Sequence, residues 1–290
     1  MMPFTRVLAL AVAGLATILI GIREGRPATI LVPGDHDSVQ AAANSASAGD
    51  VILIQRDASP ENVSLTARSD LVFVGKGKPT MTSFTLIGCN RVTILGLQIT
   101  GSAASGIHVA SSFDIVVRAV TVRGVAGDGI EVEGSDRVTI EGCRIEGTSR
   151  DGIRVGRAPA PCQDVVVVKN RIGDVALSGI VVAGSRNRLE KNAVTGCGTH
   201  GILIEAGTDN DFVRNKLSSL DDDGFRVLGG GSNVFLGNSV KAASRFGYYL
   251  DCSGNELTGN KAKGSGVFGL MDAAGGNTLV RNSFGWSWTA

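Results

Sequence analysis

The chain has 290 residues, of which 40 are glycine, about twice the usual share and without the triplet period of collagen. Hydrophobic residues make up 43% and charged residues 19%, which excludes wholesale disorder because enough apolar surface exists to bury a large core. Aromatic residues make up only 5%, and this composition favours many short strands over a helical bundle. The net charge of +1 provides no basic field, so we expect no nucleic-acid partner.

The first 27 residues have the pattern of an export signal. Residues 7–22 are uncharged and almost wholly apolar, and Arg23 ends the run. This run is short for a membrane-spanning helix but fits the core of a signal peptide. We therefore expect residues 1–27 to be a signal peptide or an uncleaved N-terminal anchor. The protein is then expected to be extracytoplasmic, secreted or periplasmic, with membrane contact only through an uncleaved anchor.

Residues 28–75 are predicted to form the N-terminal cap and first turns of one domain that spans residues 28–290. Residues 29–32 and 51–54 read as strands, and Asp37 or Ser38 can cap a helix through residues 39–43 between them. Such a helix would cover the end of a stack of strands, where unpaired strand edges otherwise invite aggregation.

A glycine followed by an apolar residue recurs through the rest of the chain at intervals of 22 or 23 residues, with one interval of 27. The long interval contains Pro159 and Pro161, which indicates a loop insertion at residues 157–163. The pairs are Gly106-Ile107, Gly129-Ile130, Gly152-Ile153, Gly179-Ile180, Gly201-Ile202, Gly224-Phe225, Gly247-Tyr248 and Gly269-Leu270.

Two columns of asparagine are in phase with these glycines. They are Asn170, Asn192, Asn215, Asn238, Asn260 and Asn282, and Asn187, Asn210, Asn233, Asn255 and Asn277. Each unit holds short alternating strands, so we predict that it is one turn of a coil that pairs in parallel with the next turn, about 4.8 Å away. The asparagines are expected to stack at inward corners and to pass amide hydrogen bonds from turn to turn.

These repeats resemble the right-handed parallel β-helix superfamily, which includes pectate lyases, polygalacturonases, and alginate-type lyases and epimerases. The resemblance covers roughly residues 28–284 and is specific for the fold but weak for the activity. It implies an all-β fold: a single-stranded right-handed parallel β-helix solenoid of about ten to eleven turns with a short N-terminal helical cap. It also implies that the ligand is an acidic polysaccharide.

Polar side chains line one side of this coil, since side chains along each strand alternate between inside and outside. An elongated ridge of this kind matches a polymeric ligand. Its members precede or follow the glycines: Asp128, Glu131, Glu133, Asp151, Arg154, His200, Glu205, Asp223, Arg226, Tyr249 and Asp251. The catalytic candidates are His200, Asp223, Asp151 and Arg226, and the candidates for substrate binding are Asp128, Glu131, Arg154 and Tyr249.

Glycoside hydrolysis is one activity that the resemblance implies. Asp151-Gly152, Thr199-His200-Gly201 and the segment 224–227 are similar to parts of three polygalacturonase motifs. Leu228 stands where that family has a lysine, and Leu177-Ser178 stands where it has a pair of aspartates. Hydrolysis needs an acid and a base across the sugar bond, so the missing aspartates argue against it.

A lyase-type β-elimination is the second activity that the resemblance implies. Asp128, Glu131 and Asp151 would supply hard oxygen ligands for calcium, which would be the cofactor of this activity. Arg154 or Arg226 would bind the substrate carboxylate. His200 is a chemically easier base than an arginine for the proton next to that carboxylate.

The same residues also have structural interpretations. An aspartate or serine before a glycine favours a tight turn without any chemistry, and charged residues on one face can form a solvated ladder. The alternative function is therefore a non-catalytic glycan-binding or scaffold module. The five cysteines share no metal-ligand spacing, and Cys143 is predicted to be a small buried hydrophobe, with a disulfide to Cys162 left open.

Overall fold

The computed structural model describes residues 27–289, and over this range the chain forms a coil with three parallel sheets. Each strand pairs with the equivalent strands of the turns before and after it, which satisfies the backbone between turns. With about eleven turns, the predicted parallel β-helix is confirmed. The predicted export signal lies outside the described residues except for Pro27. No helix within the described range is long and apolar enough to span a membrane.

The three sheets are numbered in the order in which one turn visits them. Sheet 1 consists of Thr29–Val32, Val51–Ile54, Ser69–Gly75, Asn90–Leu95, Val116–Arg118, Thr139–Glu141, Val166–Val168, Arg188–Glu190, Asp211–Val213, Val234–Leu236, Glu256–Thr258 and Thr278–Val280. Sheet 2 consists of Thr80–Met81, Gln98–Thr100, Thr121–Arg123, Arg144–Glu146, Arg171–Val175, Ala193–Cys197, Lys216–Leu220, Ser239–Ala243, Lys261–Lys263 and Ser283–Phe284. Sheet 3 consists of Asn62–Thr66, Ser83–Ile87, Ile107–Ala110, Ile130–Glu133, Ile153–Val155, Ile180–Ser185, Ile202–Ala206, Phe225–Val227, Phe246–Leu250, Phe268–Asp272 and Ser287–Thr289, and the short strand Cys162–Gln163 pairs with its Ile180–Ser185 strand.

The predicted glycine column lies at the start of the strands of sheet 3. Ile130 pairs with Ile107 on one side and with Ile153 on the other, so residues 23 apart in sequence lie on adjacent turns. Glycine is required at this corner because a Cβ atom on Gly129 would lie 2.5 Å from the carbonyl oxygen of Gly152 on the next turn. The glycines therefore permit the close stacking that brings side chains of successive turns together.

Aliphatic side chains fill most of the interior of the coil, and a group of stacked aromatic rings lies among them in its C-terminal half. Phe212 and Phe235 stack with their ring centroids 4.8 Å apart, and Phe225 and Tyr248 stack at 5.0 Å. Burial of each such side chain stabilises the fold by about 1.5–3 kcal/mol. The hydroxyl of Tyr248 is buried and has no hydrogen-bond partner among the described residues.

The predicted asparagine ladders are present at two corners of the coil. In the first column, Asn215 Oδ1 accepts hydrogen bonds from the backbone N–H and the side-chain amide of Asn192, each at 3.0 Å. Its Nδ2 donates to the carbonyl of Leu189 at 2.9 Å and to Asn238 Oδ1 at 3.0 Å. Every buried amide group in the ladder is thus paired with a neighbouring turn, which removes the desolvation cost of burying it.

The N-terminal cap is the helix Val39–Ser45. Ser38 is its N-cap, since Ser38 Oγ accepts a hydrogen bond from the backbone N–H of Ala41 at 3.0 Å. Val39, Ala42 and Ala43 are fully buried against the first turns of the coil. The helix therefore covers the end of the core, as the sequence predicts.

All five cysteines are free thiols, so the disulfide that the sequence left open does not form. Cys143 is buried in the core, which confirms its prediction as a small hydrophobe. Burial raises the pKa of the Cys143 thiol to about 12 and that of Cys162 to about 11. Both thiols are therefore protonated and unreactive at neutral pH.

Candidate functional site

The side chains that precede the glycines form a ladder of their own along the corner before sheet 3. Asp128 Oδ1 accepts the backbone N–H of Asp151 at 2.9 Å, and Asp151 Oδ1 accepts that of Ser178 at 2.9 Å. Asp223 Oδ1 accepts the backbone N–H of Phe246 at 3.1 Å. Oδ1 of each aspartate therefore has a structural role in bonding the next turn.

His200 lies beside two carboxylates of the following turn. Its Nδ1 is 3.7 Å from Asp223 Oδ2 and 3.8 Å from Asp222 Oδ2. Each carboxylate also has its own arginine, because Arg226 Nη1 is 3.2 Å from Asp223 Oδ2 and Arg245 Nη1 is 3.1 Å from Asp222 Oδ1. These five residues, from three successive turns, are the His200 cluster.

Burial shifts both titratable groups at the centre of this cluster. It lowers the pKa of His200 below its usual value, although the negative charges of Asp222 and Asp223 oppose that shift. It raises the pKa of Asp223, and the neighbouring charge of Asp222 raises that pKa further. A neutral imidazole beside a buried carboxyl is an arrangement suited to proton transfer.

An aromatic surface continues from the His200 cluster toward the C-terminal end of the coil. The guanidinium carbon of Arg226 lies 3.7 Å from the ring centroid of Tyr249, within the range of a cation–π contact. The rings of Tyr249 and Phe246 lie 5.3 Å apart, and Phe246 stacks on Phe268 at 6.3 Å. Tyr249 is therefore placed beside the catalytic candidates, where the sequence expected it.

Toward the N-terminal end, a buried arginine forms ion pairs on the outer surface of sheet 3. Arg154 donates to Asp151 Oδ2 at 2.7 Å and to Glu205 Oε1 at 3.2 Å, although Glu205 lies two turns further on. The outward-facing Val181 pairs with Arg154 on one side and with Leu203 on the other, and it is fully buried. We name this ion pair between Arg154 and Glu205 the clasp.

The residues expected to bind calcium do not fit that ion. Arg154 pairs with Asp151, while Arg157 lies 3.7 Å from Asp128 Oδ2 and 3.1 Å from Glu131 Oε1. Guanidinium groups thus lie where the oxygens would have to surround a cation. Burial opposes ionisation of Glu131, but the Ser105 hydroxyl and the charges of His108 and Arg157 outweigh it and lower the pKa of this carboxyl.

Within residues 27–289, one group of three donors is close enough to hold a metal ion: His200, Asp222 and Asp223, whose ligand atoms lie within 4.8 Å of one another. Both of these carboxylates already contact the guanidinium groups of Arg226 and Arg245. The positive charges that they need are therefore supplied by the protein, and we assign no metal here.

The eight predicted site residues thus fall into two groups. His200, Asp223, Arg226 and Tyr249 come together, whereas Asp128, Glu131, Asp151 and Arg154 form an ion-paired network nearer the N-terminus. Asp151 and Asp223 are three turns apart, about 14 Å at the usual strand spacing, so they do not act on one bond.

Asp222 and Arg245 belong to the His200 cluster but are not among the site residues predicted from the sequence. The signal for both was the repeat itself, because Arg245 follows Asp222 by 23 residues, one turn. Phe246 and Phe268 are likewise not among the predicted site residues, although each directly precedes a glycine of the repeat. An aromatic residue at this position of the repeat is typical of core packing, and only its neighbours on the outer surface show that it lies beside the candidate site.

The site is an open surface and not a deep cleft. A groove of about 540 Å³ lies along the corner between sheets 2 and 3, and none of the eight predicted site residues lines it. Its lining consists of Gly147, Thr148, Ser149, Asp174, Val175, Ala176, Gly196, Cys197, Gly198 and Asp221. An extended polymer suits the open face of sheet 3 better than a small enclosed ligand does.

Three solved structures show the same architecture at low sequence identity. An alginate lyase from Paenibacillus sp. str. FPU-7 has a TM-score of 0.63 and 16% identity, covering 88% of this chain and 99% of the other. The A-module of the mannuronan C-5 epimerase AlgE4 from Azotobacter vinelandii has a TM-score of 0.60 and 17% identity over 89% and 92%. ORF18 of Geobacillus virus E2 has a TM-score of 0.66 and 15% identity over 88% and 59%.

The sequence comparisons agree with this likeness. Residues 80–217 match the family model described as the right handed beta helix region. No curated protein matches the sequence significantly. Identities of this size show a shared fold and leave the activity to be argued from the site. The chain is therefore a right-handed parallel β-helix protein, with the fold of the superfamily that its repeats resemble.

Proposed function

We propose that the protein processes an acidic polysaccharide by removing a proton next to a sugar carboxylate, as a lyase-type β-elimination requires. The observation that carries this proposal is the His200 cluster, in which a half-buried imidazole with a lowered pKa lies beside Asp223 and Arg226. The alginate lyase and the mannuronan epimerase that share the fold are named for activities on acidic polysaccharides. These names support the substrate class.

The proposed step uses each residue for a separate task. In the structure His200 Nδ1 accepts a long hydrogen bond, 3.4 Å, from the backbone N–H of Asp223. The step uses the other tautomer, in which the Nδ1 proton faces the carboxylates of Asp222 and Asp223 and the lone pair of Nε2 acts as the base. The C5–H bond of the uronate breaks, its proton moves to the imidazole, and the electron pair forms the C4–C5 double bond as the C4–O4 bond breaks. The proton then passes from the imidazolium to the leaving oxygen.

Arg226 stabilises the negative charge that develops on the substrate carboxylate during this step. Its side chain is held by Asp223 and by the Tyr249 ring, so little conformational entropy is lost on binding. The guanidinium can bind a carboxylate with two parallel hydrogen bonds.

The test is incubation of the purified protein with pectate, polygalacturonate and alginate, followed by the ultraviolet absorbance of unsaturated ends. We expect the product to form and His200→Ala to lower kcat/KM by at least a hundredfold. His108→Ala is the matched control, because His108 is on the outer surface of the same sheet and pairs with Glu133 at 3.7 Å. Equal losses in the two variants would contradict the role of His200.

A non-catalytic glycan-binding module is the second candidate. It is favoured by the ladder in which Asp128, Asp151 and Asp223 each bond the backbone of the next turn, a structural use of the same residues. A protein that binds acidic glycans but forms neither unsaturated nor reducing ends would establish this function instead.

We also propose an extracytoplasmic location, based on the apolar run at residues 7–22. Expression of the full chain in a bacterial host, followed by fractionation, tests it. The protein is expected outside the cytoplasm or bound to the membrane, and recovery only from the cytoplasm contradicts the proposal.

A further inference from the structure

The two sides of the His200 cluster along the coil axis differ in what they can offer a polymer. On the N-terminal side the clasp covers sheet 3, and the Arg154 side chain is only 9% exposed. Arg154 uses both ends of its guanidinium, since Asp151 and Glu205 each accept hydrogen bonds from it. The Arg154 guanidinium is therefore held between two carboxylates, and the exposed arginine on this side is Arg150, 3.6 Å from Asp128 Oδ1.

The C-terminal side has arginines with donors to spare. Among the described residues, Asp223 is the one acidic partner of Arg226, and Asp222 is the one acidic partner of Arg245. A guanidinium has five N–H donors, so each of these groups can still bind an anionic ligand. The Arg245 side chain is 51% exposed and is therefore accessible.

Aromatic rings lie under and beyond these arginines. Arg226 stacks over Tyr249, and Arg245 lies 5.2 Å from the ring centroid of Phe246. Phe268 stacks on Phe246 one turn further on and is half-buried, so part of its ring faces solvent. Phe268 lies two turns beyond Asp223, about 10 Å at the usual strand spacing.

We propose that this surface is a saccharide subsite on the C-terminal side of His200, and that an acidic polysaccharide chain extends over it along the coil axis. Phe268 and Tyr249 pack against the apolar faces of the sugar rings, and the free donors of Arg226 and Arg245 bind their carboxylates. Directional binding follows, because the residues that precede the glycines on the other side, Asp128, Asp151 and Ser178, offer no aromatic ring. The inference rests on the proposed function for its ligand class.

The test is calorimetric titration with oligogalacturonates and alginate oligosaccharides of increasing length. The background is His200→Ala, so that turnover does not interfere. We expect the affinity to rise with length, and Phe268→Ala to weaken binding of the longer oligosaccharides at least tenfold while the shortest change less than twofold. Phe268→Tyr should retain the affinity, which separates loss of the ring from loss of the fold.

Phe113→Ala is the matched control, because Phe113 is an exposed aromatic residue under Arg137 at a different corner of the coil. Equal affinities of Phe268→Ala and its parent at every length would overturn the subsite, as would a parent that binds no oligosaccharide. If the wild-type protein turns over substrate and Phe268→Ala does so at the same rate, the subsite is refuted and the proposed activity stands. If binding depends on oligosaccharide length and on Phe268 but the wild-type protein shows no turnover, the proposed activity is refuted and the subsite stands.

Discussion

Removal of one asparagine from the middle of a ladder tests how the coil is held together. In Asn215→Ala, the buried backbone N–H and the side-chain amide of Asn192 lose their acceptor, and the carbonyl of Leu189 and Asn238 Oδ1 each lose a donor. An orphaned buried N–H costs about 1–3 kcal/mol, and each of the other three lost hydrogen bonds costs about 1 kcal/mol net. The expected loss in the free energy of unfolding is therefore about 4–6 kcal/mol.

Urea unfolding followed by circular dichroism measures this loss, with two comparison variants. Asn282→Ala is expected to cost less, because Asn282 is the last member of the column and is only part-buried. Asn62→Ala removes one exposed hydrogen bond from Ser83 and should cost less than about 0.5 kcal/mol. A loss in Asn215→Ala within about 1 kcal/mol of that in Asn62→Ala would refute the ladder as a source of stability.

Three further predictions follow from burial and charge. The lowered pKa of His200 predicts that kcat/KM rises with pH around a midpoint below 6.5. Asp222→Asn should move this midpoint lower still, because the Asp222 charge raises the pKa of His200. A midpoint that moves upward in this variant would contradict His200 as the base. Tyr248→Phe should leave stability equal or raise it by about 1 kcal/mol in thermal unfolding, since it removes a buried hydroxyl without a partner, and a clear loss would reveal a missed hydrogen bond. Cys143 and Cys197, whose pKa burial raises to about 12, should react with a thiol reagent only on unfolding, and rapid labelling of the native protein would contradict their burial.

The sequence predicted the stacking of turns because that stacking depends on small, position-specific requirements. Gly152 must lack a side chain to let Gly179 of the next turn approach, and Asn192 must present an amide to Asn215. Such requirements recur every turn and therefore appear as columns in the sequence. The side-chain alternation then placed His200 and Asp223 correctly on one surface.

The contacts within the site were harder to predict, because long side chains choose partners over more than one turn. Arg154 was expected to face a substrate, but it reaches past Val181 to Glu205 and is buried. Asp128 was expected to bind calcium, but it bonds the next turn and lies near arginines instead. The alternation of side chains along a strand predicts which side of the sheet a residue faces, but not which residue its side chain contacts.

In the proposed mechanism, residues from separate turns of the coil act as one catalytic unit. The most direct test is a double-mutant cycle on kcat/KM with His200→Ala and Arg226→Lys, together with their combination. We predict strong non-additivity, with the double variant within about threefold of the worse single variant, because both residues act in the same step. Losses that multiply independently would contradict the claim.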